Sequence, residues 1–190
     1  MLYTRKGDDG TTKAFDSKPG QRISKSSCQT ESLGALDELN SFLGLVKVKA
    51  AEHLWTVNVP GVQPKGPADI AEWIQHGLFT IQAEVAGADK RIGQDKVTLM
   101  EGWIDEIERQ MPPISTFFVS GGTEVAALFD IARTLARTAE RRVISAVEEK
   151  EIDLAPPTLS FMNRLSSLLY ALARYSNFEK NVSEKAPQYD

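Results

Sequence analysis

The chain has 190 residues, a formal net charge of −4, and 42% hydrophobic and 25% charged residues. That length and apolar share suffice for one domain with a continuous core, and the slight acidic excess argues against a general nucleic-acid binder. No apolar run approaches the eighteen or so residues of a membrane span. The amino terminus lacks the apolar segment of a secretory signal, and the lone Cys28 cannot form an internal disulfide, so a cytoplasmic setting is expected.

Residues 1–27 are polar and glycine-rich, contain "YTRKGDDGTT" and "DSKPGQR", and read as loop. Helical spacing begins near Thr30 and lasts to Ala50, where Leu33, Leu36, Leu39, Leu43 and Val46 form one apolar stripe. Asn40 falls within about 40° of Leu36 on that helix, inside the stripe, and Asp37 sits at its edge. A buried amide needs hydrogen-bond partners and a buried carboxylate needs a cation or donors. Both residues are therefore either ordinary helix polar groups or parts of a site.

After the loop "VNVPGVQPKGPAD", a second helix is expected over about 68–88 and a third over about 97–111, stopped by Pro112 and Pro113. "FFVSGGTEV" leads into the longest apolar pattern, about 123–149. Arg133 and Glu140 lie at its border, with Arg137 and Arg141 further round beside Asp130. Arginines and glutamates on a long helix usually form a solvated, ion-paired face. A last helix, about 157–176, buries Phe161, Leu165, Leu168, Leu169 and Leu172 and carries Asn163, Ser167, Tyr170 and Arg174 opposite them. That second face is polar but nearly uncharged, more like an interface than a solvated surface. The tail 177–190 is polar and expected to be loose. Five helices and no strand pattern predict an all-α bundle.

His53 and His76 are far apart, and no Cys/His spacing resembles a zinc site. A glycine-rich loop can aim backbone N–H groups at phosphate oxygens, with lysine or arginine adding charge. Threonine hydroxyls and aspartates can complete a phosphate and magnesium site. The G-x-x-x-x-G-K-[ST] loop of P-loop NTPases is absent.

Six segments, taken in order, resemble the PduO-type cob(I)alamin adenosyltransferases. They are "YTRKGDDGTT" with the following "ISK", "LGALDELNSFLG", "IQHGLFTIQAEVAG", "LMEGWIDEIERQMPPISTFFVSGG", "ARTLARTAERRV" and "FMNRLSSLLYALAR". The resemblance implies a ferritin-like five-helix bundle that assembles as a homotrimer, with ATP held at the subunit interfaces. It divides the chain into an ATP loop (1–27), a bundle (28–176) and a tail (177–190). The implied reaction transfers the 5′-deoxyadenosyl group of ATP to cob(I)alamin, with Mg2+ accompanying the nucleotide.

By the same resemblance, Thr4, Lys6, Gly7, Asp8, Gly10, Thr11, Thr12 and Lys25 serve the triphosphate, and Arg137 contacts its oxygens. Arg133 pairs with Asp37 of a neighbouring subunit. Glu140 and Asn163 hold ATP through magnesium, ribose or adenine contacts, Glu140 being the metal-side residue. Phe117 stands against the corrin and helps displace its lower ligand. A cobalamin reductase or a B12-dependent enzyme is the implied protein partner. The sequence departs from the family pattern at Lys6 (usually Thr), Ser120 (Pro), Asp130 (often His) and Thr138 (Arg). These changes keep open a second reading, a catalytically weakened relative that binds ATP or cobalamin as sensor or carrier.

Overall fold

The structure, a computed structural model, describes residues 3–15 and 17–189. Met1, Leu2 and Asp16, within the expected loop, and Asp190, at the end of the expected tail, lie outside the described residues. Five helices carry the fold: α1 (Cys28–Ala50), α2 (Pro67–Val85), α3 (Gln94–Gln110), α4 (Glu124–Glu148) and α5 (Pro156–Phe178). Their ends have local causes. The Ser27 hydroxyl accepts from the Thr30 amide and the Thr123 hydroxyl from the Ala126 amide, each satisfying a first-turn donor. Prolines open α2 and α5, where their missing N–H costs nothing. The third helix stops just before the Pro112–Pro113 pair.

The helices pack in the lateral order α2, α1, α4, α5, α3. Ion pairs at opposite ends fix α1 and α4 as antiparallel: Lys49 to Glu124 at 2.9 Å, and Arg142 to Glu31 at 4.0 Å. Close approach is possible because α4 turns Ala132, Ala136 and Ala139 inward, all fully buried. Phe161 from α5 crosses the bundle to α2, where its ring lies so near Gly77 that an added Cβ would stand 2.7 Å from Cζ. Trp103, Phe129 and Phe161 are the largest fully buried side chains. Truncating one such ring to alanine costs about 3–5 kcal/mol. The buried Glu84 carboxylate fastens α2 to the start of α5, accepting from Arg91 (2.8 Å), the Ala155 amide (2.8 Å) and the Thr158 hydroxyl (2.6 Å).

The expected helices all form, within about three residues of the expected bounds. Two features differ from the sequence reading. The amino-terminal loop contains a short antiparallel pair, β1 (Thr11–Thr12) against β2 (Ile23–Ser24), too brief to leave an alternating pattern in the sequence. The tail is not loose throughout: the Lys185 carbonyl accepts from the Val119 amide at 2.8 Å, and Glu184 pairs with Arg174 at 2.9 Å.

Candidate active site

α4 and α5 are antiparallel neighbours, so residues of one meet residues of the other in reverse order. Arg133 on α4 stands 5.8 Å from the ring of Tyr170 on α5, and Glu140 accepts from the Asn163 amide at 3.1 Å. The polar side of α5 thus faces the charged border of α4, which is why it looks like an interface in the sequence. Two cavities open along this seam.

The larger has a volume of about 750 Å³ and lies between the seam and the loop joining α3 to α4. Phe117 and Phe118 supply its aromatic wall, while Ser167 and Tyr170 supply neutral polar groups. Arg133, Arg137 and Arg174 bring positive charge, opposed by Asp130 and Glu184. Burial pushes the Tyr170 phenol above its ordinary pKa. Arg133 donates to Asp130 at 3.1 Å on its own helix. Arg174, only 6% exposed, lies 5.1 Å from the Phe118 ring. An aromatic wall with a few convergent polar groups suits a large, flat, mostly apolar ligand.

The smaller cavity, about 390 Å³, is lined by Arg137, Glu140, Arg141, Glu148 and Asn163. Beside Ile144 and Ser145, its arginines and amide suit a polyanion with a hydrogen-bonding base or sugar. Arg164 donates to the Asn163 side-chain Oδ1 at 2.6 Å, orienting the amide so that its nitrogen faces Glu140. Arg137 borders both cavities. One exposed guanidinium therefore stands where two different ligands would meet.

The structure brings Phe117, Arg133 and Arg137 together at the first cavity and Arg137, Glu140 and Asn163 at the second. It does not bring the amino-terminal loop to either. Thr4, Lys6, Gly7, Asp8, Gly10, Thr11, Thr12 and Lys25 line neither cavity. The loop is folded on itself: Lys25 donates from its ammonium to the Gly7 carbonyl at 2.8 Å and from its amide to Gly10 at 2.9 Å. Arg22 donates to the Thr11 carbonyl at 2.9 Å. The Thr11 hydroxyl and amide both donate to Asp9, and these bonds hold that carboxyl below its usual pKa. Lys6 is exposed, its amide 3.4 Å from the Thr4 hydroxyl.

Asp37 is exposed on α1, and Arg133 takes Asp130 rather than Asp37 as its partner within the chain. Asn40 is buried, and its side-chain oxygen lacks a partner. Besides Phe118, Asp130, Ser167 and Tyr170, the first cavity takes Arg174, Asn177 and Glu184, which are also absent from the expected set. The signal for Arg174 was its place on the nearly uncharged face of α5. Asn177 and Glu184 left none, because Asn177 meets Gly121 and Thr123 only once the helices pack, and Glu184 meets Arg174 only once the tail folds back.

The cobalamin adenosyltransferase family profile matches residues 2–176, almost the whole chain. The chain belongs to that family. It is 35% identical to the corrinoid adenosyltransferase PduO of Salmonella typhimurium over 91% of its own length, but spans 48% of that relative. It is 34% identical to the corrinoid adenosyltransferase of Bacillus subtilis, covering 96% of this chain and 90% of the other. Among solved structures, it superposes on a PduO-type ATP:corrinoid adenosyltransferase variant from Lactobacillus reuteri complexed with cobalamin and ATP. The TM-score is 0.85 at 26% identity, with both chains fully covered.

Within this cobalamin adenosyltransferase domain, the departures have local accounts. Thr138 accepts from Arg141 at 3.2 Å, and Asp130 supplies the partner of Arg133. Ser120 lines the larger cavity. Nothing in the structure explains Lys6.

Proposed function

We propose that the protein transfers the 5′-deoxyadenosyl group of ATP to cob(I)alamin, giving adenosylcobalamin and triphosphate. The observation that carries this reading is Arg137, shared by an aromatic-walled cavity and a charged one on the same helix seam. The names of the relatives and the complexes of the Lactobacillus neighbour agree with it.

The larger cavity takes the corrinoid. Phe117, 81% exposed, presents a free ring at its mouth that can occupy the lower axial side of cobalt and keep a ligand off it. The smaller cavity takes the nucleotide, with Asn163 and Glu140 at its sugar or base and the triphosphate toward Arg137. Cobalt(I) attacks the ribose 5′-carbon in line: the cobalt–carbon bond forms with the cobalt electron pair as the carbon–oxygen bond to triphosphate breaks. The protein supplies no base or nucleophile. It supplies alignment, exclusion of water, and charge on the leaving triphosphate.

Glu140 is the residue suited to Mg2+. No group of three or more metal-ligating side chains exists among the described residues. One carboxylate beside an amide fits a magnesium ion carried in on phosphates, since Mg2+ takes one or two carboxylates and substrate oxygens for the rest. When bound, the ion neutralises phosphate charge. Arg137 and Arg141 hold the remainder.

In this reading the amino-terminal loop reaches the nucleotide across a subunit boundary, which fits its lining neither cavity within one chain. A homotrimer fits the exposed face of α1. There Leu45 and Val48 follow Asp37 at helical spacing and are 46% and 66% exposed. Ile131 is likewise exposed on the neighbouring α4. Asp37 is then free to meet Arg133 of the next subunit. Among the described residues, no helix is long and apolar enough to cross a membrane. A cytoplasmic enzyme served by a cobalamin reductase and supplying a B12-dependent enzyme completes the proposal.

A specific observation favours a second reading as sensor or carrier: Asp130 already neutralises Arg133 within the chain. One optical experiment separates the two. Cob(I)alamin mixed with ATP and the protein converts to adenosylcobalamin over many turnovers if the chain is an enzyme. A carrier binds both ligands and leaves the spectrum of cob(I)alamin unchanged.

A further inference from the structure

The loop from Met111 to Thr123 carries Phe117, yet contains no helix or strand among its residues. Its shape is imposed from outside, by α5 and the chain that follows it. At its start, the Tyr175 hydroxyl donates to Gln110 at 2.6 Å. At its end, the buried Asn177 donates to the Gly121 carbonyl at 2.8 Å and accepts from the Thr123 amide at 2.9 Å.

The middle is held by the tail. After α5 the backbone reverses at Asn181, which adopts a left-handed conformation at φ 53°. The chain then returns toward the loop. Glu184 meets Arg174 at 2.9 Å, with the pair largely buried, and Arg174 lies under the Phe118 ring. One residue on, the Lys185 carbonyl accepts from the Val119 amide at 2.8 Å. Both neighbours on one side of Phe117 are thereby pinned, while Phe117 itself is left exposed.

We propose that residues 181–185 act as a strap that positions Phe117 over the corrinoid cavity, with Glu184 as its principal positioning residue. The inference rests on the assignment of that cavity to the corrinoid. Glu184 touches no reacting atom. It orients Arg174, whose guanidinium supports Phe118, and brings the Lys185 carbonyl to Val119. A buried arginine deprived of its carboxylate keeps its charge and loses its orientation. The loop is then free to sample positions in which the Phe117 ring leaves the cavity mouth. Both Glu184 and Lys185 lie beyond the residues matched by the family profile.

The test uses Glu184→Ala and a chain ending after Ser183, each compared with the full chain. Hydrogen exchange at the Val119 amide reads the strap without reference to activity. It should quicken at least about tenfold in both variants, as expected when a local fastening is lost. In turnover, the KM for cob(I)alamin should rise at least about tenfold while that for ATP stays within about twofold, and Glu184→Gln should recover part of the loss by restoring an acceptor. A merely destabilised bundle would move both substrates together. Unchanged Val119 exchange in the truncated chain overturns the strap, and so does an equal loss for ATP and corrinoid. If the full chain turns over no corrinoid, the functional reading fails, and Val119 exchange still decides the strap.

Discussion

Arg137 is exposed on α4, bonded through its carbonyl to Arg141 and bordering two cavities of opposite character. Its side chain is available for ligand rather than committed to the fold, so its removal separates function from stability. Arg137→Ala should keep its unfolding midpoint, a change within about 0.5 kcal/mol, and lose turnover by at least about a hundredfold, the scale for a preorganised charge contact. Steady-state kinetics and denaturant titration on the same variant check both halves. Gly122 makes the opposite case. Its φ of 104° is closed to most side chains, and a Cβ there would collide with Asn177. Gly122→Ala should lower stability by about 1–3 kcal/mol, read as a shift of the denaturation midpoint, because it strains the backbone and displaces Asn177 from the Thr123 amide.

The helices were legible because their apolar spacing survives any change of neighbour. Leu36, Leu39, Leu43 and Val46, for instance, are buried as their spacing requires. The aromatic loop was legible only through family resemblance, since its conformation is set by Tyr175, Asn177 and Lys185, more than fifty residues away. No local pattern can report such bonds. The polar face of α5 lies between these extremes. Its unusual neutrality pointed to an interface, but only the antiparallel pairing with α4 shows that the partner is Arg133 and Glu140. Phe117 belongs to this scale, because what it does depends on the loop that carries it. Being 81% exposed, it contributes little burial, so Phe117→Ala should fold and bind ATP as before while losing most adenosyl transfer. Isothermal titration with ATP beside a turnover assay checks the pair. Lost ATP affinity with intact transfer would place the residue on the wrong substrate.

At the scale of the whole molecule, no residue of the amino-terminal loop lines either cavity within one chain. Asp37, outward on α1, also lacks the Arg133 partner that family resemblance gives it across a boundary. Light scattering should therefore return a trimer at micromolar concentration, and Asp37→Ala should weaken assembly and activity together, as an interfacial arginine loses its counter-charge. A monomeric protein with undiminished turnover would refute the arrangement. The exposed Leu45 and Val48 face then has a consequence for kinetics. If the loop of one chain completes the site of the next, the rate follows the concentration of trimer. Above the assembly threshold, velocity is proportional to enzyme. Well below it, velocity falls as the third power of chain concentration, although every chain remains folded.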